Sequence, residues 1–483
     1  MKRMKKFSML TLSMLALVAA PTAAFAEGGQ SLGDMLPIWS IIPFVGMLLS
    51  IAIFPLVNAH WWEHNQGKVA VGWALVFLVP FFFAYGANET IYQLIHSIIL
   101  DYVPFLILLF ALYAVAGGIV MRGSLVGTPK VNAIILLIGT ILASVIGTTG
   151  AAMLLIRPLL RANEWRKRKL HSVIFFIFLV CNIGGCLTPV GDPPLFMGFL
   201  RGVPFFWTAI HLMPLLIFNS IVLFALYFVM ETRAYKKDLA EGLHAPEAKE
   251  KITVEGLHNL LFIALILFAV VMSGVLQQVP MFLDASGHVK GIHLFTHNNH
   301  AAVYAYPNLL RDIILLIAAY LSMKTTSKAS REYNNFNWGA IEEVAKLFFG
   351  IFITMIPALA LLGAHGADLG IDNQWKFFWA TGLLSGFLDN TPTYLVFLTT
   401  AVSLGTEGMA TTIGTIEEHL LMAVSAGAVF MGALSYIGNA PNFMVRSIAD
   451  ENNVKMPSFF GYMAWSFGIL VPLFVLDTII FFL

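Results

Sequence analysis

The stretch Gly185–Met197, GCLTPVGDPPLFM, returns 247 positions later as Gly432–Met444, GALSYIGNAPNFM. Gly185, Leu187, Gly191, Pro194, Phe196 and Met197 fall on Gly432, Leu434, Gly438, Pro441, Phe443 and Met444. The polar positions correspond too, Thr188 with Ser435 and Asp192 with Asn439. Each copy is a Gly/Pro-broken, polar-centred patch inside an apolar span. Interrupted membrane segments at matching places in two halves of a chain point to the binding site of a secondary transporter.

Composition agrees with a membrane chain. Of 483 residues, 58% are hydrophobic and only 11% charged, far below the quarter of charged residues usual in soluble domains. Mean hydropathy is +0.81. Many apolar runs reach the roughly 20 residues that cross a hydrocarbon core. A net charge of +1 leaves no large basic surface for nucleic acid. The two cysteines, Cys181 and Cys186, are too few for a disulfide framework and lack the nearby histidines of a zinc site. They read as packing residues. Residues 1–26 carry Lys2, Arg3, Lys5 and Lys6, an apolar run and Ala24-Phe25-Ala26, the pattern of a cleavable signal peptide.

Apolar runs predict spans near 36–57, 70–87, 98–121, 205–230, 259–278, 309–323, 344–365 and 459–483. Segments near 131–160, 172–200, 376–403 and 419–445 are apolar but interrupted. If 131–160 and 376–403 are re-entrant hairpins and the mature N-terminus lies outside, eighteen Lys and Arg fall on the inside, Arg161–Lys169 prominent among them. Only Arg201, Lys290 and Lys376 fall outside. That is a strong positive-inside bias, and making either hairpin a full crossing destroys it. The expectation is an all-α polytopic protein of two inverted-topology repeats, 36–230 and 259–483, each with a re-entrant hairpin and a broken transmembrane helix. The charged stretch 231–258 is the expected cytoplasmic linker. The expected location is a bacterial cytoplasmic (inner) membrane, with both mature termini outside.

The hairpin tips are Ser144–Gly150 and Ser385–Thr393, and an offset of 241 sets Thr148-Thr149 opposite Asp389-Asn390. Broken backbone at membrane depth is tolerated only where protein or water satisfies it. Four such breaks would surround one midplane cavity. Carbonyls and carboxylates suit hard cations, whereas half-helix N-termini suit anions. An ionised Asp at mid-membrane costs about 2.5–3.5 kcal/mol or more, so Asp389 is the expected carrier of transported Na⁺ and H⁺, with Asp192 as its partner. Each Asp has an alternative reading as a helix cap. Thr148, Thr149, Thr188, Asn182, Asn390, Thr391, Ser435, Asn439 and Asn442 complete the candidate ion or substrate site, or else tie up freed backbone. Arg157, His211 and Asp477 read as pairing, packing or coupling residues. His288, His293, His297 and His300 read as a solvated loop.

Cys181–Arg201, CNIGGCLTPVGDPPLFMGFLR, resembles the broken helix of the ion transporter superfamily of NhaD-type sodium/proton antiporters, arsenite permeases and citrate transporters. Leu388–Thr393, LDNTPT, is similar to the hairpin-tip element of the NhaD-type antiporters. The resemblance implies an elevator-type transporter, often a homodimer, with substrate between hairpin tips and broken helices. Its dicarboxylate branch carries Ser-Asn-Thr triplets where this chain has Gly147–Gly150 and Asp389–Thr391.

The favoured expectation is a Na⁺/H⁺ antiporter working by alternating access. The alternative is a proton- or Na⁺-coupled carrier of citrate or another carboxylate. An intramembrane aspartyl protease would need Gly-x-Gly-Asp, where Pro189-Val190-Gly191 precedes Asp192, so no enzyme is expected. A plain channel would not need paired breaks. No phosphate loop is present in the sequence, no cofactor is expected, and an ion gradient is the expected energy source.

Overall fold

The computed structural model describes residues 31–247, 250–298 and 300–483; the signal-peptide reading of 1–26 lies outside them. The chain is mostly helical. Among the described residues, seven helices are long and apolar enough to cross a membrane: α1 (Ile38–Asn58), α2 (His60–Ala116), α3 (Pro129–Ile146), Leu170–Leu187, α7 (Trp207–Ala240), α8 (Asn259–Leu276) and α16 (Phe459–Phe481). An eighth is the pair α10 (Gly339–Thr354) and α11 (Ile356–His365), bent by 43°. This is a polytopic membrane protein. The predicted span near 309–323 is the helix α9 (Tyr306–Thr325). Its buried Arg311–Asp312 pair (2.7 Å) leaves it outside the apolar set.

The first two helices reverse at Asn58, which leaves the helical region (φ −154°, ψ 82°). Its Oδ1 accepts the amide of Trp61 and so starts α2 as a cap does. Trp61 and Trp62 pack on Phe54, and Trp73 Nε1 donates to Ser50 Oγ at 3.0 Å. The pairing numbers fall on one helix as they rise on the other, so the two run antiparallel. Within α2, Gly86 breaks the helix again (φ 83°, ψ 172°). The later arm pairs with α10 through Ser97, Tyr102 and Tyr113, which donate to the carbonyls of Phe352, Ala345 and Asn337. Phe105 stacks on Phe348 at 4.7 Å.

Two hairpins follow the same plan. In the first, α3 turns at Gly147 into α4 (Thr148–Ala162). Gly147 has φ 81° and ψ 151°, a region that glycine enters without a Cβ penalty. Its open end is closed by Gly127 N donating to Ala162 O at 2.7 Å. In the second, α12 (Gln374–Phe387) turns at Leu388-Asp389 into α13 (Asn390–Ser403). Each hairpin precedes a helix that stops and restarts. The first of these comprises α5 (Leu170–Leu179), a 3₁₀ turn and α6 (Pro193–Leu200). The second comprises α14 (Glu418–Met431), a 3₁₀ turn and α15 (Ala440–Glu451). The backbones of the two breaks match. Thr188 and Ser435 have φ/ψ of −140°/156° and −137°/173°. Asp192 and Asn439 have −137°/137° and −150°/138°.

An all-α expectation misses three short two-stranded ladders in the connections among the described residues. Val120–Arg122 pairs with Thr253–Glu255, Gly291–His297 with His300–Ala305, and Met409–Thr411 with Gly414–Ile416. The charged run from Glu231 does not begin as a loop, because α7 continues to Ala240. The reason is a buried cation between the first hairpin and α5. Arg166 bonds Glu231 and Asp238 at 2.7 Å each, all three side chains fully buried. His171 Nε2 reaches Glu231 at 2.6 Å, and Asn132 Nδ2 bridges Glu231 and Asn163. At the rim, Arg168 and then Lys167 hold the Glu241 carboxyl down at about 2.

Removing one member of a buried ion pair strands the others. Arg166→Ala is therefore expected to lower unfolding stability in detergent by about 3–5 kcal/mol, and the rim change Lys167→Ala by at most about 1 kcal/mol. A Cβ on Gly191 would lie 2.2 Å from Gly185 O, and one on Gly438 2.5 Å from Gly432 O. Gly191→Ala and Gly438→Ala should each cost about 1–3 kcal/mol by overpacking, read as a lower melting temperature.

Candidate functional site

All four breaks meet at one carboxylate. Asp192 is fully buried. Its Oδ1 accepts Thr148 Oγ1 at 3.1 Å, from the first hairpin tip, and Asn439 Nδ2 at 3.2 Å, from the second broken helix. Its Oδ2 accepts Asn390 Nδ2 at 2.6 Å, from the second hairpin tip. Asp192 and Asn439 occupy corresponding positions of the repeated motif, so the two halves touch through equivalent residues. Although Asp192 stands directly before Pro193, its side chain makes no cap hydrogen bond to α6. The extended φ/ψ of Asp192 turns the carboxylate into the junction instead.

A second layer satisfies the backbone that the breaks release, as membrane-depth breaks require. Asn182 Nδ2 donates to Ile177 O and to Asn442 Oδ1, both at 2.8 Å. Asn439 Nδ2 also reaches Cys181 O and Asn182 Oδ1. Asn442 Nδ2 serves the carbonyls of Gly432 and Ser435. Thr188 Oγ1 donates to Ser144 O and accepts the amides of Val190 and Gly191. Ser435 Oγ accepts the amide of Ile437. Ser144 of the first tip, absent from the expected site, donates to Gly184 O and accepts Leu187 N. A hydroxyl opposite a diglycine was the available signal.

Asp389 stands differently. It is the cap of α13, its Oδ1 accepting Thr391 N at 3.0 Å, while Thr393 Oγ1 donates to its carbonyl. The cap alternative thus describes Asp389 and not Asp192. Thr391 is buried and lies 3.5 Å from Asn390 Oδ1. Thr149 makes no side-chain hydrogen bond among the described residues.

No cationic side chain bonds Asp192 among the described residues. Arg157 lies nine residues beyond Thr148 on α4, about 13 Å along the helix at 1.5 Å per residue. His211 pairs with Glu418 at 2.8 Å, His297 with Glu89 at 3.0 Å, and Asp477 with Asn219 at 2.9 Å. Cys181 and Cys186 are buried free thiols. Together these side chains make a buried, oxygen- and amide-rich junction around the Asp192 carboxyl group. Such a junction can hold a proton or a small hard cation directly.

The family model CitMHS_2, described as "Putative citrate transport", matches residues 33–482. No individually curated protein matches the chain. With the match covering nearly the whole chain, the protein belongs to the CitMHS_2 family, within the ion and citrate transporter superfamily that its motifs resemble.

Proposed function

We propose that this secondary transporter exchanges Na⁺ for H⁺ by alternating access, with Asp192 as the shared carrier. The observation that carries the reading is a buried carboxylate served by three neutral donors and, among the described residues, by no cation. Deprotonated, Asp192 attracts Na⁺; once the ion leaves, a proton restores neutrality in a medium that disfavours the charge. The same carboxylate cannot hold both at once, so the two movements are coupled. Asn390 and Asn439 now present their amide nitrogens. A half-turn of each side chain amide offers the oxygens instead, adding two ligands for the entering cation. Asp389 is assigned a positioning role, holding the first turn of α13 so that Asn390 faces Asp192.

Contacts between distant segments support the inverted arrangement and the re-entrant hairpins. Arg122 pairs with Glu255, and Arg161 with Tyr333; all four belong to the basic side in the charge reading. Thr412 N donates to Arg201 O, and the pairs His211–Glu418 and Glu89–His297 join the opposite side. None of these contacts mixes the two sets. The second reading, a proton- or Na⁺-coupled citrate carrier, is favoured by the family's description. There Asp192 would hold the coupling ion, and the Asn and Thr side chains and half-helix ends would hold the anion.

Proteoliposomes containing a pH dye separate the two. Cation-triggered proton movement on adding NaCl or LiCl without citrate is expected, and Asp192→Asn should abolish it. Asp389→Asn should retain coupling and lose about 0.5–2 kcal/mol of stability, as cap removal does. Silence with cations and proton or Na⁺ entry on adding citrate would replace antiport by symport. For the sidedness, single cysteines placed at Lys167 and Glu407 in a background lacking Cys181 and Cys186 should label from opposite faces of the membrane. Labelling from the same face would overturn the re-entrant assignment of the second hairpin.

A further inference from the structure

Outside the central junction, the turn between α1 and α2 presents His60-Trp61-Trp62-Glu63-His64. Positions i, i+3 and i+4 share one helix face, and one ligand atom from each of His60, Glu63 and His64 lies within 4.8 Å of the other two. All three side chains are exposed, and the two imidazole rings are 4.6 Å apart. His64 Nδ1 lies 2.9 Å from His60 O. A carbonyl only accepts, so Nδ1 carries the proton and the Nε2 lone pair is left outward. Metal-binding histidines are commonly held in this way, the second ring N–H tied to a carbonyl or carboxylate.

The neighbouring cations are otherwise engaged. Lys68 Nζ donates to Asn65 Oδ1 at 3.0 Å and Lys346 Nζ to Glu342 at 2.5 Å, although both lysines line the same cleft as Glu63 and His64. Glu63 has no ion-pair partner among the described residues. We propose that His60, Glu63 and His64 form a binding site for a borderline divalent transition metal, zinc(II) first among them. Two imidazoles and one carboxylate with open positions suit zinc, nickel and iron(II), whereas magnesium and calcium prefer all-oxygen shells. A tetrahedral zinc with bonds of about 2.1 Å holds its ligand atoms roughly 3.4 Å apart. Closing from 4.8 Å is a rotamer adjustment for exposed side chains. The bound ion would clamp the first turn of α2 beside the reversal at Asn58. The site stands apart from the transport reading and does not depend on it.

The test is isothermal titration of the tag-free, full-length protein in detergent with ZnCl₂, and separately with MgCl₂. Uptake of zinc without uptake of magnesium is expected. His64→Ala and the shape-keeping Glu63→Gln should each weaken zinc binding by about 10–100-fold or more, the range that even outer-shell losses cause. His293→Ala, in the ladder that meets α2 near Glu89, should leave it unchanged. Metal-free melting temperatures of the variants establish that they fold. Absence of zinc uptake by the wild type, or wild-type affinity in folded His64→Ala and Glu63→Gln, would overturn the proposal. Loss of affinity in His293→Ala alone would also overturn it, by moving the binding elsewhere.

Discussion

One buried carboxylate, Asp192, offered three neutral donors and no counter-charge among the described residues, is the constraint around which the central junction is arranged. From one backbone interruption, Asp192 draws together Thr148, Asn390 and Asn439 from the three others. Each interruption exists because a helical backbone cannot turn its end toward a point in the membrane interior without stopping. The stop releases carbonyls and amides that hydrocarbon cannot satisfy. The asparagine and hydroxyl layer behind Asp192 answers that demand, with Asn182, Asn439 and Asn442 each serving a backbone carbonyl and a side chain, or two carbonyls. Polarity at the centre and broken geometry around it are one requirement seen twice.

Apolar runs long enough to cross a membrane and the Gly/Pro punctuation of the breaks are both one-dimensional signals, and both were legible. The repeated Gly-x5-Gly of Gly185–Gly191 and Gly432–Gly438 reports a close carbonyl approach that admits no Cβ in either copy. The members of the candidate site were legible for the same reason, because polar residues in an apolar run stand out. Their division of labour was not. In the sequence both Asp389 and Asp192 read as carriers, each with a helix cap as the alternative. Only the direction of each side chain distinguishes the Asp that bonds its own backbone from the Asp that bonds the other half of the chain.

The buried charges of α7 were hidden for a different reason. Glu231 and Asp238 lie among lysines and arginines, and a charge-rich stretch reads as solvated surface. Their partner Arg166 lies 65 and 72 positions away, beyond any local pattern. Burial of such a cluster carries a desolvation cost that is met only when every member has a partner. Here Glu231 alone engages Arg166, His171 and Asn132.

That cluster makes the two hairpins unequal. The open end of the first is fastened to α7 by buried ions and closed by the Gly127–Ala162 hydrogen bond. At the open end of the second, the contact from Gln374 to Glu417 is a long one, 3.5 Å. Amide hydrogens of α3 and α4 should therefore exchange with solvent only on large-scale opening, while those near Gln374 escape through small local fluctuations. The first hairpin is thus pinned by buried charge, while the ion pair at the open end of the second, Lys376 with Asp372, is exposed.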